Sequence, residues 1–492
     1  MNSKLRRAWV LFIGLNVIGT GLCAAAELVV LVPMTAGDKP LMRAGPKGEP
    51  QAPILKRAPN DALTKGIVQE TSRGATKFML GLDEQAQRIA GTTAPEPTYL
   101  LRSQEEGGYA RRGFWLGDAN NNLVWHADPY VDLVVDKESV EDGGFEEIFA
   151  HELGHVLLRR LVPRLPNGLS RTPHSSLAVT DYPTAFDEGF AIHFQGLARQ
   201  LTQNARLKAI DKGLEFKPFL TFWQSNVDRA LRIRGVRDNL FVQQQLPVPL
   251  NVGDATSLFD LTHFKNGQQM LASEGVVATL FYHLLIQATD TPVQLADRYK
   301  ALLTSLRTLN SQKLTSSTPL FLNLAEAHTQ RVPDARSRWI GTVLELTYGA
   351  TASPTVIRDM TKLAALGQEG RAEEFSAALK QSRTALAKLT EQITRNPQRI
   401  GAAVGAELWL AVKQSNGADV TINLNTAEKT SLMNVWGFES TEADLLLADR
   451  SARGAFASVD DFCTRRKAPP LLRKRLTDAH ELAIKLGGFE RQ

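Results

Sequence analysis

Five residues constrain this chain more than any other stretch: His151-Glu152-Leu153-Gly154-His155. They lie in a run that reads as helix from about Phe145 to Leu161. Residues i and i+4 of an α-helix sit one above the other on the same face, so His151 and His155 can aim their imidazoles at one metal ion. Glu152 is about 100° round the helix from His151, within reach of a water on the ion's open position. A metal with an open position beside a carboxylate is an apparatus for attacking a carbonyl carbon. A five-residue pattern also arises by chance, so its setting has to decide.

Two histidines leave such a site one protein ligand short. A third histidine six residues after the second would complete one known geometry. That place holds Leu161, and the glycine that geometry needs is Leu158. The remaining common choice is a glutamate from a later helix, and Thr184 to Phe194 supplies Glu188. Phe186, Phe190, Phe194 and Leu197 form a ridge suited to a core, and Glu188 lies about 200° from Phe186. A carboxylate with Gly189 and Ala191 beside it, small residues that admit a neighbouring helix, needs a partner such as a metal if it is buried. A capping or surface carboxylate is the alternative. Glu147 and Asp187 could each hold a ligand imidazole through its second nitrogen, although a solvated helix face explains Glu146 and Glu147 equally well. His126 and His193 read as bystanders.

His151-Glu152-Leu153-Gly154-His155 followed by Asp187-Glu188-Gly189-Phe190-Ala191 resembles the gluzincin group of zinc metallopeptidases, especially bacterial thermolysin-like or aminopeptidase-like catalytic domains. The specific likeness covers roughly residues 140 to 200. It implies an α+β fold of zincin type, with a mixed sheet and the first helix above a helical lobe. It also implies zinc on His151, His155 and Glu188, and Glu152 as general base and proton shuttle. The oxyanion needs a second donor, and His174, Tyr182, Tyr282 and His283 are the candidates, with His174 and Tyr182 nearest in sequence. The chain departs from the pattern at Ile192, where thermolysin-like enzymes place an acidic residue, and it has no motif for gripping a free amino terminus. Endopeptidase and exopeptidase both stay open. The other functional class is a noncatalytic envelope scaffold that keeps a metal site.

The remainder is organised around that unit. Lys4, Arg6 and Arg7 precede an apolar stretch and the small residues Cys23 to Ala26, a signal-peptide pattern over residues 1–26. A retained N-terminal anchor is the alternative. Of the net +5 at pH 7, three charges come from those basic residues, and no basic block argues for nucleic acid. Cys463 is then the single mature cysteine, which excludes an internal disulfide and suits a bacterial periplasm or secretion. No later segment is long and apolar enough to span a bilayer.

Residues 27–74 read as a loose segment, and Lys77 to Leu80 as a possible opening strand. Thr98 to Leu101, Gly108 to Leu116 and Leu123 to Val135 read as strands, of which Phe114 to Leu116 or Tyr130 to Val135 could pair with extended substrate. Helices are expected over Arg206 to Phe216, Phe222 to Ile233, Gly267 to Gln287, Pro292 to Leu303, Phe321 to His328 and Ser337 to Leu346. A break falls between Gln245 and Asn251. The metallopeptidase-like unit then spans 75–350 and a helical connector 351–419, with a hairpin broken near Gly367 and Gly370. Residues 420–486, with Trp436-Gly437-Phe438 and Gly454-Ala455-Phe456, resemble a tandem helix-hairpin-helix domain. There Glu439 replaces the second hairpin glycine and opposes a phosphate. A protein partner, beside the peptide or protein substrate, is therefore favoured over DNA, despite the basic cluster Arg465 to Lys467 and Arg473 to Arg475.

Overall fold

Every second residue of a strand points to the same face, and this alternation divides the sheet's apolar side chains between two cores. In a computed structural model, which describes residues 27–104, 107–118, 122–170, 174–212, 232–245, 259–356, 362–363, 370–413 and 419–487, β1 is Leu28–Pro33, β2 and β3 form a two-residue hairpin (Thr35–Ala36, Lys39–Pro40), and β4 and β5 are Met42–Ala44 and Gln51–Arg57. β6 (Thr98–Arg102), β7 (Gly108–Gly117) and β8 (Leu123–Leu133) follow. Val29, Leu31, Tyr99, Leu101, Phe114 and Tyr130 share one cluster. Their neighbours Val30, Leu100, Val131 and Leu133 join the main core with the helices. The expected signal segment, most of the helix over Phe222 to Ile233, the break after Gln245 and the one near Gly367 lie outside the described residues.

The strand order is β1-β6-β8-β7-β5-β4, and β1 also pairs antiparallel with β5 through Leu31↔Arg57 and Pro33↔Leu55. Five strands thus close into a small barrel of mixed direction, which is atypical of a zincin-type sheet, within the expected α+β architecture. The barrel corrects the reading of residues 27–74 as loose. β5 has a weak local signal, with Pro53 inside it, and its pairing with β1 and β7 supplies the strand. Helix α1 (Ala62–Thr71) follows, capped by Asp61, whose carboxylate accepts from the Thr64 amide at 2.7 Å. Lys77 to Leu80 belongs to helix α2 (Gly74–Ala90) and not to a strand. The buried series Ala75, Met79, Leu82 and Ala86 has helical spacing over a length that the short apolar run concealed.

Two helices carry the motif residues: α4 (Gly144–Leu161), after the short α3 (Lys137–Asp142), and α5 (Tyr182–Leu201). They cross where Gly154 has no side chain. A Cβ there would lie 2.8 Å from the Phe194 ring and 3.1 Å from the Ala191 Cα. The helical lobe adds α6 (Ala205–Lys212), α7 (Gly267–Leu271), α8 (Glu274–Leu285), α9 (Pro292–Thr308), α10 (Leu320–Arg331) and α11 (Arg336–Leu346). The single helix expected over Gly267 to Gln287 is therefore two. Ser273 between them bridges to Val179, and the Gly275 amide donates to the Ser176 carbonyl at 3.2 Å, so a neighbouring loop captures the break.

After α12 (Ala372–Arg395), a β-hairpin of β9 (Trp409–Lys413) with β10 (Asp419–Asn423) spans the boundary between residues read as helical connector and those read as helix-hairpin-helix. The dipeptide Asn416-Gly417 between them is a hairpin signal. Three helices end the described chain, α13 (Ser440–Arg453), α14 (Val459–Arg465) and α15 (Pro470–Gly487), around a core that includes Trp436, Phe456, Phe462 and Cys463. Among the described residues, no helix is long and apolar enough to cross a membrane.

Candidate metal centre

The close α4–α5 crossing places three ligand atoms around one point. His151 Nε2 and His155 Nε2 are 3.3 Å apart, and Glu188 Oε2 lies 3.5 Å and 3.6 Å from them. Ligands at about 2.0–2.1 Å on a tetrahedral ion stand about 3.3–3.4 Å from each other, so the triangle has the size that a zinc-like ion requires. Donor chemistry agrees with size, since two imidazoles and one carboxylate are a set this ion accepts. Gly189 brings α8 against α5, since a Cβ there would lie 2.7 Å from Val277.

The two histidines of the triangle are held differently. His155 Nδ1 is 2.6 Å from Asp187 Oδ1, which fixes Nε2 toward the cluster. Burial works against a charge on His155, but Asp187 and Glu188 outweigh it and raise the imidazole well above its ordinary value. Burial likewise opposes charge on Glu188, yet the two imidazoles hold its carboxyl well below the usual range. This is a cation-holding arrangement. His151 Nδ1 is buried and has no hydrogen-bond partner among the described residues.

Glu152 follows His151 on α4 and is 7% exposed. Burial pushes its carboxyl up, against the pull of both histidines. The first residue of β7 touches it: a Cβ on Gly108 would lie 2.6 Å from Glu152 Oε1. β7 runs along β8 from Gly108 to Gly117 but meets β5 only at Ile54↔Trp115 and Leu55↔Leu116. Among the described residues its first half thus pairs on one side only, beginning beside Glu152, and neither expected edge is that segment. Phe114 to Leu116 pairs on both sides, while Tyr130 and its neighbours lie in β8 between β6 and β7.

Of the four candidate oxyanion donors, the structure brings one to the cluster. His174 Nδ1 lies 3.9 Å from Glu188 Oε1 and 3.5 Å from Glu274 Oε1. Tyr182 corrects its expected role, because it is buried and its hydroxyl donates to the Gly405 carbonyl at 3.0 Å. Tyr282 donates to Gln200 Oε1, and His283 bonds the Arg237 carbonyl. Glu147 is not a solvated residue or an imidazole holder. It pairs with Arg199 at 2.9 Å, both side chains 3% exposed, while Glu146 accepts from Thr202 Oγ1 and the Ala75 amide. His193 is buried against the Tyr299 hydroxyl at 3.0 Å, and burial lowers it to about 3. His126 stacks on Phe114 inside the barrel wall.

Sequence reasoning missed Glu274, 1% exposed at the start of α8, which with His174 and Glu188 makes a second group able to hold a cation. Its signal was a lone acid opening the apolar run Gly275 to Leu285. The loop before α5 is anchored from afar. The Tyr182 amide donates to Glu407 Oε1 at 3.1 Å and Thr421 Oγ1 to the Leu169 carbonyl at 3.0 Å, so the β9–β10 segment fastens the piece of chain that carries His174. The basic residues of the C-terminal helices are largely paired within them: Arg465 with Asp461, Arg473 with Asp460 and Lys474 with Asp478, each at 2.7 Å. No family model, no curated protein and no solved structure matches this chain.

Proposed function

We propose that His151, His155 and Glu188 hold zinc and that the chain is a zinc-dependent peptidase of gluzincin type, periplasmic or secreted, acting on peptides or proteins. The observation that carries the reading is the ligand triangle of 3.3, 3.5 and 3.6 Å. Bound there, zinc would supply a Lewis acid for a carbonyl oxygen and lower the pKa of water. The chain's residues do the rest. Asp187 keeps His155 in the tautomer whose Nε2 faces the cluster. Glu152 takes a proton from the attacking water on a carboxylate oxygen and returns it to the departing amine nitrogen. His174, held by Glu274, donates to the oxygen that gains charge. The first half of β7, whose strand pairing among the described residues is with β8 alone, pairs with extended substrate through main-chain bonds, which need no particular side chain.

A second reading keeps the metal and drops the chemistry, leaving a noncatalytic envelope scaffold with a protein partner on its C-terminal helices. The barrel favours it, since the likeness to peptidases implies a zincin-type mixed sheet. One experiment separates the two: zinc content of the purified protein and cleavage of a mixed peptide library, with Glu152→Gln in parallel. The peptidase reading expects one zinc per chain in both proteins and cleavage by the wild type alone. Zinc without any cleavage supports the scaffold, and a chain that takes up no zinc refutes both.

A further inference from the structure

A groove of about 970 Å³ adjoins the candidate metal cluster, lined by Glu188, Asp187 and His174 and also by Arg112 and Arg159. Both arginines belong to elements that carry or touch the candidate catalytic residues. Arg159 continues the i, i+4 series of His151 and His155 on α4, about 12 Å along the helix from His151. Arg112 is four residues along β7 from Gly108, which abuts Glu152, or about 13 Å. A helix and a strand thus deliver a cation each to the same groove at the same remove from the reacting atoms.

Their charge is available. Asp128, the carboxylate beside them in the groove, is taken by Arg160 at 2.9 Å, and Arg160 also binds the buried Asp83 at 2.8 Å. Arg159 is exposed and has no carboxylate within 4.0 Å among the described residues. Among the described residues the one carboxylate near Arg112 is Glu49 at 4.0 Å, with 59% of the arginine side chain exposed, a contact too open to neutralise it. Its Nε donates to the neutral Ala127 carbonyl at 3.2 Å. Planar guanidinium forks match carboxylate geometry. An extended chain advances about 3.3 Å per residue, so a group bound here sits about two to four residues from the scissile bond, given the reach of an arginine side chain.

We infer that Arg159 and Arg112 form a carboxylate-binding subsite, so that the preferred substrate is a peptide with an acidic side chain or its C-terminal carboxylate two to four residues from the cleaved bond. This rests on the peptidase reading of the metal cluster. The probe is a fluorescein-labelled, alanine-based nonapeptide series in which one glutamate, or its glutamine counterpart, is walked through the sequence, each with a free or amidated C-terminus. Binding is read by anisotropy on the full-length zinc-loaded Glu152→Gln protein, and cleavage on the wild type.

The inference expects glutamate to bind about ten- to a hundredfold tighter than glutamine at one or two positions. If the terminal carboxylate is the ligand, amidation removes that gain instead. Arg159→Gln, alone or with Arg112→Gln, should bring the glutamate-to-glutamine ratio of KM toward one, Arg159→Lys should restore part of it, and Arg159→Glu should turn the preference toward lysine. Equal binding of all peptides, no binding of any, or a ratio unmoved by Arg159→Gln would overturn the subsite. Cleavage without charge preference would remove the subsite and leave the peptidase. Charge-selective binding without cleavage by the wild type would do the reverse.

Discussion

Replacing Asp187 by asparagine should weaken zinc binding without unfolding the protein. Asp187 Oδ1 lies 2.6 Å from His155 Nδ1, and asparagine keeps the volume while removing the charge that strengthens this bond. Loss of such an outer partner costs about 10–100-fold in metal affinity, or about 1.4–2.7 kcal/mol. Glu147→Gln is the matched control, a carboxylate-to-amide change on α4 one turn before His151. It breaks the Glu147–Arg199 pair and leaves a buried guanidinium uncompensated, which costs about 3–5 kcal/mol of stability but touches no ligand. The assay is competitive zinc titration against a chromophoric chelator, with denaturant midpoints of both variants. Asp187→Asn should lose affinity and little stability, and Glu147→Gln the reverse. An Asp187→Asn protein that binds zinc within about twofold of wild type, below the 10–100-fold expected, would refute the role given to Asp187.

Three further outcomes follow. Gly108→Ala places a Cβ 2.6 Å from Glu152 Oε1, where ordinary contact begins at 3.4 Å. The carboxylate must move by nearly an ångström, and kcat should fall by up to about 100-fold with zinc content unchanged; full activity would refute the contact. Tyr182→Phe removes the bond to Gly405 and should cost about 0.5–1.5 kcal/mol in chemical denaturation. Its kcat should stay unchanged, and a large drop would return Tyr182 to the list of oxyanion donors. Burial lowers Lys265 to about 7, so the unfolded chain binds more protons between that value and its ordinary value of 10.5. Stability should rise with pH across this window, and in Lys265→Met that part of the slope should vanish; parallel wild-type and variant curves would refute it.

What could be read from the sequence was local. The spacing of His151 and His155 and the strands near Thr98, Gly108 and Leu123 are periodic signals within one segment. The barrel is not of that kind. β5 owes its strand to β1, from which it is separated by a short hairpin and β4, and to β7, which comes two helices later. Met79 and Leu80 were misread because a four-residue apolar run fits strand and helix equally well, and only the longer series from Ala75 to Ala86 decides.

The site shows the same division. A candidate ligand could be argued from its neighbours: Glu188 precedes Gly189 and Ala191, residues small enough to let α4 and α8 approach, and that approach is what the Gly154–Ala191 and Gly189–Val277 contacts provide. The groups that surround the ligands could not be argued that way, because each comes from an element placed by packing. Glu274 reaches His174 only because the helix expected across residues 267 to 287 breaks at Ser273 and starts again against the loop at Ser176. Tyr182 is lost to the cluster because Gly405 and Glu407, more than 200 residues later, claim its hydroxyl and amide. Arg159 gains meaning once a strand brings Arg112 to the same groove. If the peptidase reading holds, the metal-binding chemistry is written in the spacing of α4, and the choice of substrate is written in contacts between elements far apart in the chain.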